Sequence, residues 1–278
     1  MKIIEKFVES KYGPKVIGED IVFQSDDFIA IIDGATDKSG VKLNNLSPGL
    51  FASKSIYNSL STLNKDIDMQ SAISILSKNL NSDIIHQSNK QNLDLTIAPC
   101  ASIAIYSKHK KQIWRVGDVK WMALINGKYI SNEYEKKVDM ITSSARSFFI
   151  KSSLLSGKSV DDFLLNDSGR DFIHPLLSSQ HLFQNIDDEL EGFGYGVIDG
   201  QDVPLVYQEC FDMGNASEII LSSDGYPKIF PSLKKSEDYL FNDLLLDPLR
   251  INNHPSTKAI MKNQVSFDDR SYIRFSTN

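Results

Sequence analysis

Two cysteines in 278 residues cannot build a disulfide framework, and Cys100 and Cys210, each in apolar surroundings, read as reduced core residues. No apolar run approaches the roughly 20 residues of a membrane span, so no membrane association is expected. The opening Met1-Lys2-Ile3-Ile4-Glu5-Lys6 lacks the apolar core and small-residue cleavage site of a signal peptide, and a cytoplasmic location is expected. Basic residues are outnumbered: 30 against 36 acidic gives a net charge of −6, which argues against a dedicated nucleic-acid surface. The basic run Lys108-His109-Lys110-Lys111 reads as a solvated hairpin. The five histidines (His86, His109, His174, His181 and His254) are scattered and form no zinc spacing. Gly157-Lys158-Ser159 lacks the earlier glycine of a phosphate-binding loop, because Ser152 stands there. Ser222-Ser223-Asp224-Gly225 does not fit the serine-hydrolase elbow. There is no internal repeat and no low-complexity block.

What remains is an ordinary globular composition, 41% hydrophobic and 24% charged. Its length suits one large domain with an ample core. Phe7-Val8, Val16-Ile17 and Ile21-Val22-Phe23 read as short early strands. Phe28-Ile29-Ala30-Ile31-Ile32 is an apolar run ended by Asp33-Gly34, the pattern of a strand buried on both faces. Ser47-Pro48 starts a helix that runs to about residue 64. A second helix begins near Asp68 and carries Met69, Ile73, Leu76, Leu80 and Ile84 on one face. The period then changes to strands over 102–106, 112–116 and 121–125, the last closed by the hairpin turn Asn126-Gly127. Residues 133–184 read as mostly helical. Gly194–Gly200, Leu205–Tyr207 and Glu218–Leu221 read as strands, a helix covers about 231–246, and a final strand follows Asp268-Asp269.

Acidic residues recur at the ends of these apolar strands: Glu19-Asp20, Asp33-Gly34, Gly117-Asp118, Asp224-Gly225 and Asp268-Asp269. Each alone reads as a turn. Together they suggest carboxylates converging at one edge of a β structure, where they cannot all ionise without a compensating cation. Hard divalent ions prefer such oxygen ligands, and two of them about 3.5–4 Å apart are a recurring device for phosphoryl displacement.

In this order the five acidic pairs resemble the metal-dependent protein phosphatases of the protein phosphatase 2C family, over about residues 5–276. The resemblance implies an α+β fold, a four-layer α/β/β/α sandwich of two antiparallel sheets flanked by helices. It implies one catalytic domain over 1–278, with about 130–200 as a variable helical or flap insertion. Asp33 would bridge two Mn²⁺ or Mg²⁺ ions with the Gly34 carbonyl beside it. Asp224 and Asp268 would hold one of those ions, Asp118 would take a third, and Glu19 and Asp20 would position metal-bound waters. The implied activity is hydrolysis of phosphoserine or phosphothreonine in proteins by a monomeric enzyme. The alternative is a phosphatase-like binding or regulatory domain with little turnover. Two departures bear on that choice. Ala35 stands where many members have a histidine that protonates the leaving alcohol. Lys15 stands where a basic residue binds the substrate phosphate, and it reads equally as a solvated surface lysine. Asp269 could substitute for Asp268, and His174 or His181 could reach the site from the middle segment.

Overall fold

The structure, a computed structural model, describes residues 1–35, 40–95, 97–186 and 192–277. Residues 187–191 of the expected 130–200 insertion lie outside the described residues.

Two five-stranded antiparallel sheets face each other. One has the order β1 (Lys2–Glu9), β10 (Arg270–Ser276), β9 (Ala216–Ser222), β6 (Lys120–Ile125), β7 (Lys128–Asn132). The other runs β2 (Ile21–Gln24), β3 (Phe28–Gly34), β4 (Ala101–Ser107), β5 (Gln112–Val116), β8 (Glu209–Asp212). Side-chain alternation explains the layering. Along β3, Ile29 and Ile31 enter the layer between the sheets, where they join Trp121, Leu221, Ile273 and Phe275. Phe28, Ala30 and Ile32 point the other way, against α1 (Pro48–Leu60) and α2 (Met69–Gln91). On the far side, Ile220 and Tyr272 pack with Leu240 and Leu244 of α6 (Leu233–Leu246). The four-layer α/β/β/α sandwich is therefore present.

Local chemistry sets the helix ends. The Ser47 side chain accepts from the Leu50 amide with Pro48 in the first turn, and Asp68 caps Ser71 in the same way. Asn92 closes α2 in the left-handed region at φ 53°.

The helical reading of 133–184 resolves into α3 (Lys137–Leu155), α4 (Val160–Leu165) and α5 (Ser168–Ser179). Ile150 and Phe163 of this segment pack with Leu249, Ile251 and Ala259 of the loop before β10. Arg146, fully buried, ties the two together. Its guanidinium donates to both Asp167 oxygens, and its Nη1 donates to the carbonyls of Leu249 (2.9 Å) and Ser256 (3.0 Å).

Four local expectations differ. Val16 and Ile17 form no strand and lie in the turn-rich connection between β1 and β2. Leu205–Tyr207, behind Pro204, is a 3-10 turn, and the strand follows it as β8. Gly194–Gly200 carries only isolated bridges, Ala101 with Ile198 and Gln184 with Tyr195. Cys100 is buried as expected, but Cys210 is exposed, since β8 is an edge strand and alternation turns Cys210 outward.

Replacing Arg146 with methionine would leave the buried Asp167 carboxylate without its guanidinium and with only the Arg170 and Ala259 amides as donors, at a cost of about 3–5 kcal/mol. The expected readout is faster amide exchange in α3, α5 and residues 247–259, with β3 and β4 still protected; uniform loss of protection would contradict it.

Candidate metal centre

Asp33 lies on the same face of β3 as Ile29 and Ile31, so it leaves the hydrophobic layer at one end of the sandwich. Asp224, just after β9, meets it there, its amide 3.3 Å from Asp33 Oδ2. Asp20, before β2, is 5% exposed and accepts from the Ser271 hydroxyl on β10 at 2.9 Å. Asp118 stands in the β5–β6 turn, which Gly117 makes at φ +89° while lying against Ser102. The Ser102 hydroxyl donates to Asp118 Oδ1 at 2.6 Å. Asp268 enters from the loop before β10.

The choice between Asp268 and Asp269 has a structural answer. Asp269 is committed to the connection between β1 and β2. Its Oδ1 accepts from the Ser10 hydroxyl (3.2 Å) and the Lys11 amide (2.8 Å), and its Oδ2 from the Glu19 amide (2.7 Å). Glu19 accepts from the Ser47 hydroxyl at 2.6 Å, at the N-terminus of α1, where a carboxylate is favoured. Gly34 and Gly49 let β3 and α1 meet: a Cβ on Gly34 would lie 2.6 Å from the Gly49 carbonyl oxygen.

Asp33, Gly34, Ala35, Asp118, Asp224 and Asp268 line one cavity of about 780 Å³. Its other walls mix charges, with Lys120, Lys136, Arg170, Arg250 and Lys258 alongside Glu133, Glu135 and Asp139. Lys15 is exposed on the β1–β2 connection. His254, neither His174 nor His181, is the histidine that lines this cavity, and its Nε2 lies 2.8 Å from the Tyr239 hydroxyl.

Two lysines hold two of the carboxylates. Lys136 Nζ is 2.8 Å from Asp118 Oδ2, and Lys258 Nζ pairs with Asp268 Oδ2, while Lys11 Nζ lies 3.7 Å from Asp268 Oδ1. The charges divide accordingly. Burial, with Asp20 and Asp224 close by, pushes the Asp33 carboxyl well above the usual range. Burial pushes Asp20 up to about 8 and Asp224 up to about 7, and neighbouring aspartates add to both. At Asp118 burial acts in the same direction, but the Lys136 ammonium outweighs it and the carboxyl is held low. At Asp268, Lys258 and Lys11 outweigh burial in the same manner.

The donor set fits a hard divalent ion in chemistry and in charge: all donors are oxygens, and burial with neighbouring aspartates outweighs the Lys258 and Lys136 charges that reach Asp224 and holds Asp20, Asp33 and Asp224 towards the protonated form. In spacing, among the described residues no three acidic, histidine or cysteine side chains already converge as a ligand shell.

No family model and no curated protein matches the sequence. Solved structures do match. A bacterial serine phosphatase superposes with a TM-score of 0.50 at 13% identity, over 99% of this chain and 97% of that one. This chain has the protein phosphatase 2C-type fold. Serine/threonine phosphatase Stp1 from Staphylococcus aureus gives 0.48 at 14% identity, over 98% and 93%. The catalytic domain of the serine/threonine protein phosphatase PstP, solved in complex with two manganese ions, gives 0.48 at 12% identity, over 99% and 98%. No described helix is long and apolar enough to cross a membrane.

The residues that sequence reasoning missed are the lysines. Lys11, four positions before Lys15, is buried and approaches Asp268, whereas Lys15 is exposed. Lys136 and Lys258 carry no local signal, since their partners come from distant turns.

The raised carboxyls predict the pH dependence of the metal-free protein. A carboxyl near 4 when unfolded and near 7–8 when folded keeps its proton in the native state as pH rises from about 4, while the unfolded chain releases it. Stability is therefore greatest below about pH 4 for these groups and falls as pH rises to about 8. Urea denaturation in EDTA between pH 5.5 and 8.5 should show that decline, and Asp20→Asn should flatten it. A rising profile would contradict the electrostatics.

Proposed function

We propose that this chain is a metal-dependent phosphatase acting on phosphoserine or phosphothreonine in proteins. The observation that carries this reading is the meeting of Asp33, Asp118, Asp224 and Asp268, from four separate strand ends, on one cavity of a phosphatase-type fold. Asp33 with the Gly34 carbonyl, Asp224 and Asp268 would hold two Mn²⁺ or Mg²⁺ ions and Asp118 a third, and bound ions would supply positive charge and a water of lowered pKa. Glu19, fixed by Ser47, and Asp20, fixed by Ser271, orient water behind that set. Arg170 and Lys228, on the cavity wall, suit the phosphate of a docked peptide. The reading includes a phosphorylated protein as partner, a cytoplasmic monomer, and no nucleic acid or membrane.

The second reading, a binding or regulatory domain with little turnover, is favoured by one residue. Ala35 lines the cavity where a proton donor is expected, and its methyl group can donate none.

Asp33→Asn should abolish Mn²⁺-dependent hydrolysis of p-nitrophenyl phosphate; activity equal to wild type would end the phosphatase reading. With no acid at position 35, turnover of a series of aryl phosphates should fall steeply as the leaving-group pKa rises. Ala35→His should flatten that slope, and an already flat slope in wild type would show that another group supplies the proton.

A further inference from the structure

The acidic centre is unevenly neutralised. Asp118 and Asp268 are paired with Lys136 and Lys258, whereas among the described residues Asp20, Asp33 and Asp224 make no ion pair, and the same two lysines reach Asp224 only at longer range. Both lysines belong to, or are held by, the helical segment α3–α5. Lys136 is the residue from which α3 departs. Lys258 sits between two anchored residues: the Ser256 carbonyl accepts from Arg146 Nη1 at 3.0 Å, and the Ala259 amide donates to Asp167 Oδ2 at 3.0 Å. Their side chains are 14% and 18% exposed, so each ammonium has left most of its water for its carboxylate.

We infer that Lys136 and Lys258 are built-in counter-ions, laid by the helical segment onto Asp118 and Asp268, and that they compete with divalent cations for those two carboxylates. The inference rests on the reading that this centre takes divalent ions. A lysine in contact with a carboxylate oxygen occupies the lone pairs a metal would need, and its charge repels a second cation nearby. This competition makes the position of α3–α5 a determinant of metal affinity: divalent binding at Asp118 or Asp268 requires the ammonium to withdraw, and so loosens the segment's hold.

The test is Mn²⁺ titration calorimetry on the wild-type chain, Lys136→Met and Lys258→Met, since methionine keeps the apolar stem and removes the charge. Each variant should bind Mn²⁺ about tenfold or more tightly than wild type, the order expected for removing one cation from a largely buried site. The gain should be larger for Lys136→Met, because Asp268 keeps Lys11. Mn²⁺ should also raise the melting temperature of each variant more than that of wild type. If a single variant folds only with Mn²⁺ present, that too is the expected dependence. The double variant Lys258→Met/Asp268→Asn removes the carboxylate together with its lysine and leaves Lys11 to repel a cation there, so it should return to wild-type affinity or weaker. Wild type binding Mn²⁺ with the lysine variants binding no tighter would overturn the counter-ion role. Weaker binding of inorganic phosphate in those variants at unchanged Mn²⁺ affinity would also overturn it and make the lysines anion contacts. Failure of all forms to bind Mn²⁺ would remove the divalent centre itself, and this inference with it.

Discussion

Several carboxylates are buried together at one end of the sandwich, and much of the surrounding structure answers to that constraint. Asp20, Asp33 and Asp224 are removed from water beside one another, with Asp118 and Asp268 adjoining. Each must be protonated, paired or hydrogen-bonded to stay there. All three solutions are present. Asp33, Asp20 and Asp224 are pushed towards the protonated form, Asp118 and Asp268 are paired with lysines, and Ser271, Ser102 and backbone amides donate to carboxylate oxygens.

The same register builds the core and the site. Ile29 and Ile31 fill the inter-sheet layer, and Asp33 follows on the same face. A slip of one residue in β3 would turn both isoleucines towards α1 and would carry Asp33 away from Asp224. The register with β4, which sets Asp33 opposite Ser102 and Gly34 opposite Ala101, is therefore held by hydrophobic burial far larger than any interaction within the site. That is how a centre with unfavourable internal electrostatics can persist: the sheet, not the site, fixes the geometry.

This division also decides what could be read from the sequence. Asp33, Asp118, Asp224 and Asp268 were legible because each ends an apolar strand beside a turn, a local signal. The helices around residues 48 and 69 were legible from their caps and stripes. Asp268 and Asp269 were ambiguous because they are neighbours in sequence, and only a contact spanning 250 residues, from the Glu19 amide to Asp269, distinguishes them. Leu205–Tyr207 was too short for periodicity to tell strand from turn. The lysines were illegible for a stronger reason. An ammonium on a flexible stem has no fixed partner until the tertiary fold brings one.

An ammonium and a divalent ion are not equivalent solutions to the same charge problem. Lysine neutralises one carboxylate with a single charge and three donors, and offers no open position to a water. A divalent ion neutralises more and also activates water. Wherever a lysine holds a carboxylate in this centre, the electrostatic cost of burial is offset but the chemical gain is forgone. Of the four strand-end aspartates on the cavity, Asp33 and Asp224 are the two without a lysine ion pair among the described residues, so under the proposed phosphatase reading hydrolysis would depend most on them. Ala35 beside them supplies no proton to the departing oxygen. Under the proposed reading, turnover would be constrained from both sides of the phosphorus, by which cation neutralises the acids and by the lack of a side-chain acid at position 35. Of the two, the cation is under the control of the fold, because the segment that ends at Lys136 and anchors Lys258 is held by Arg146 and Asp167, outside the cavity.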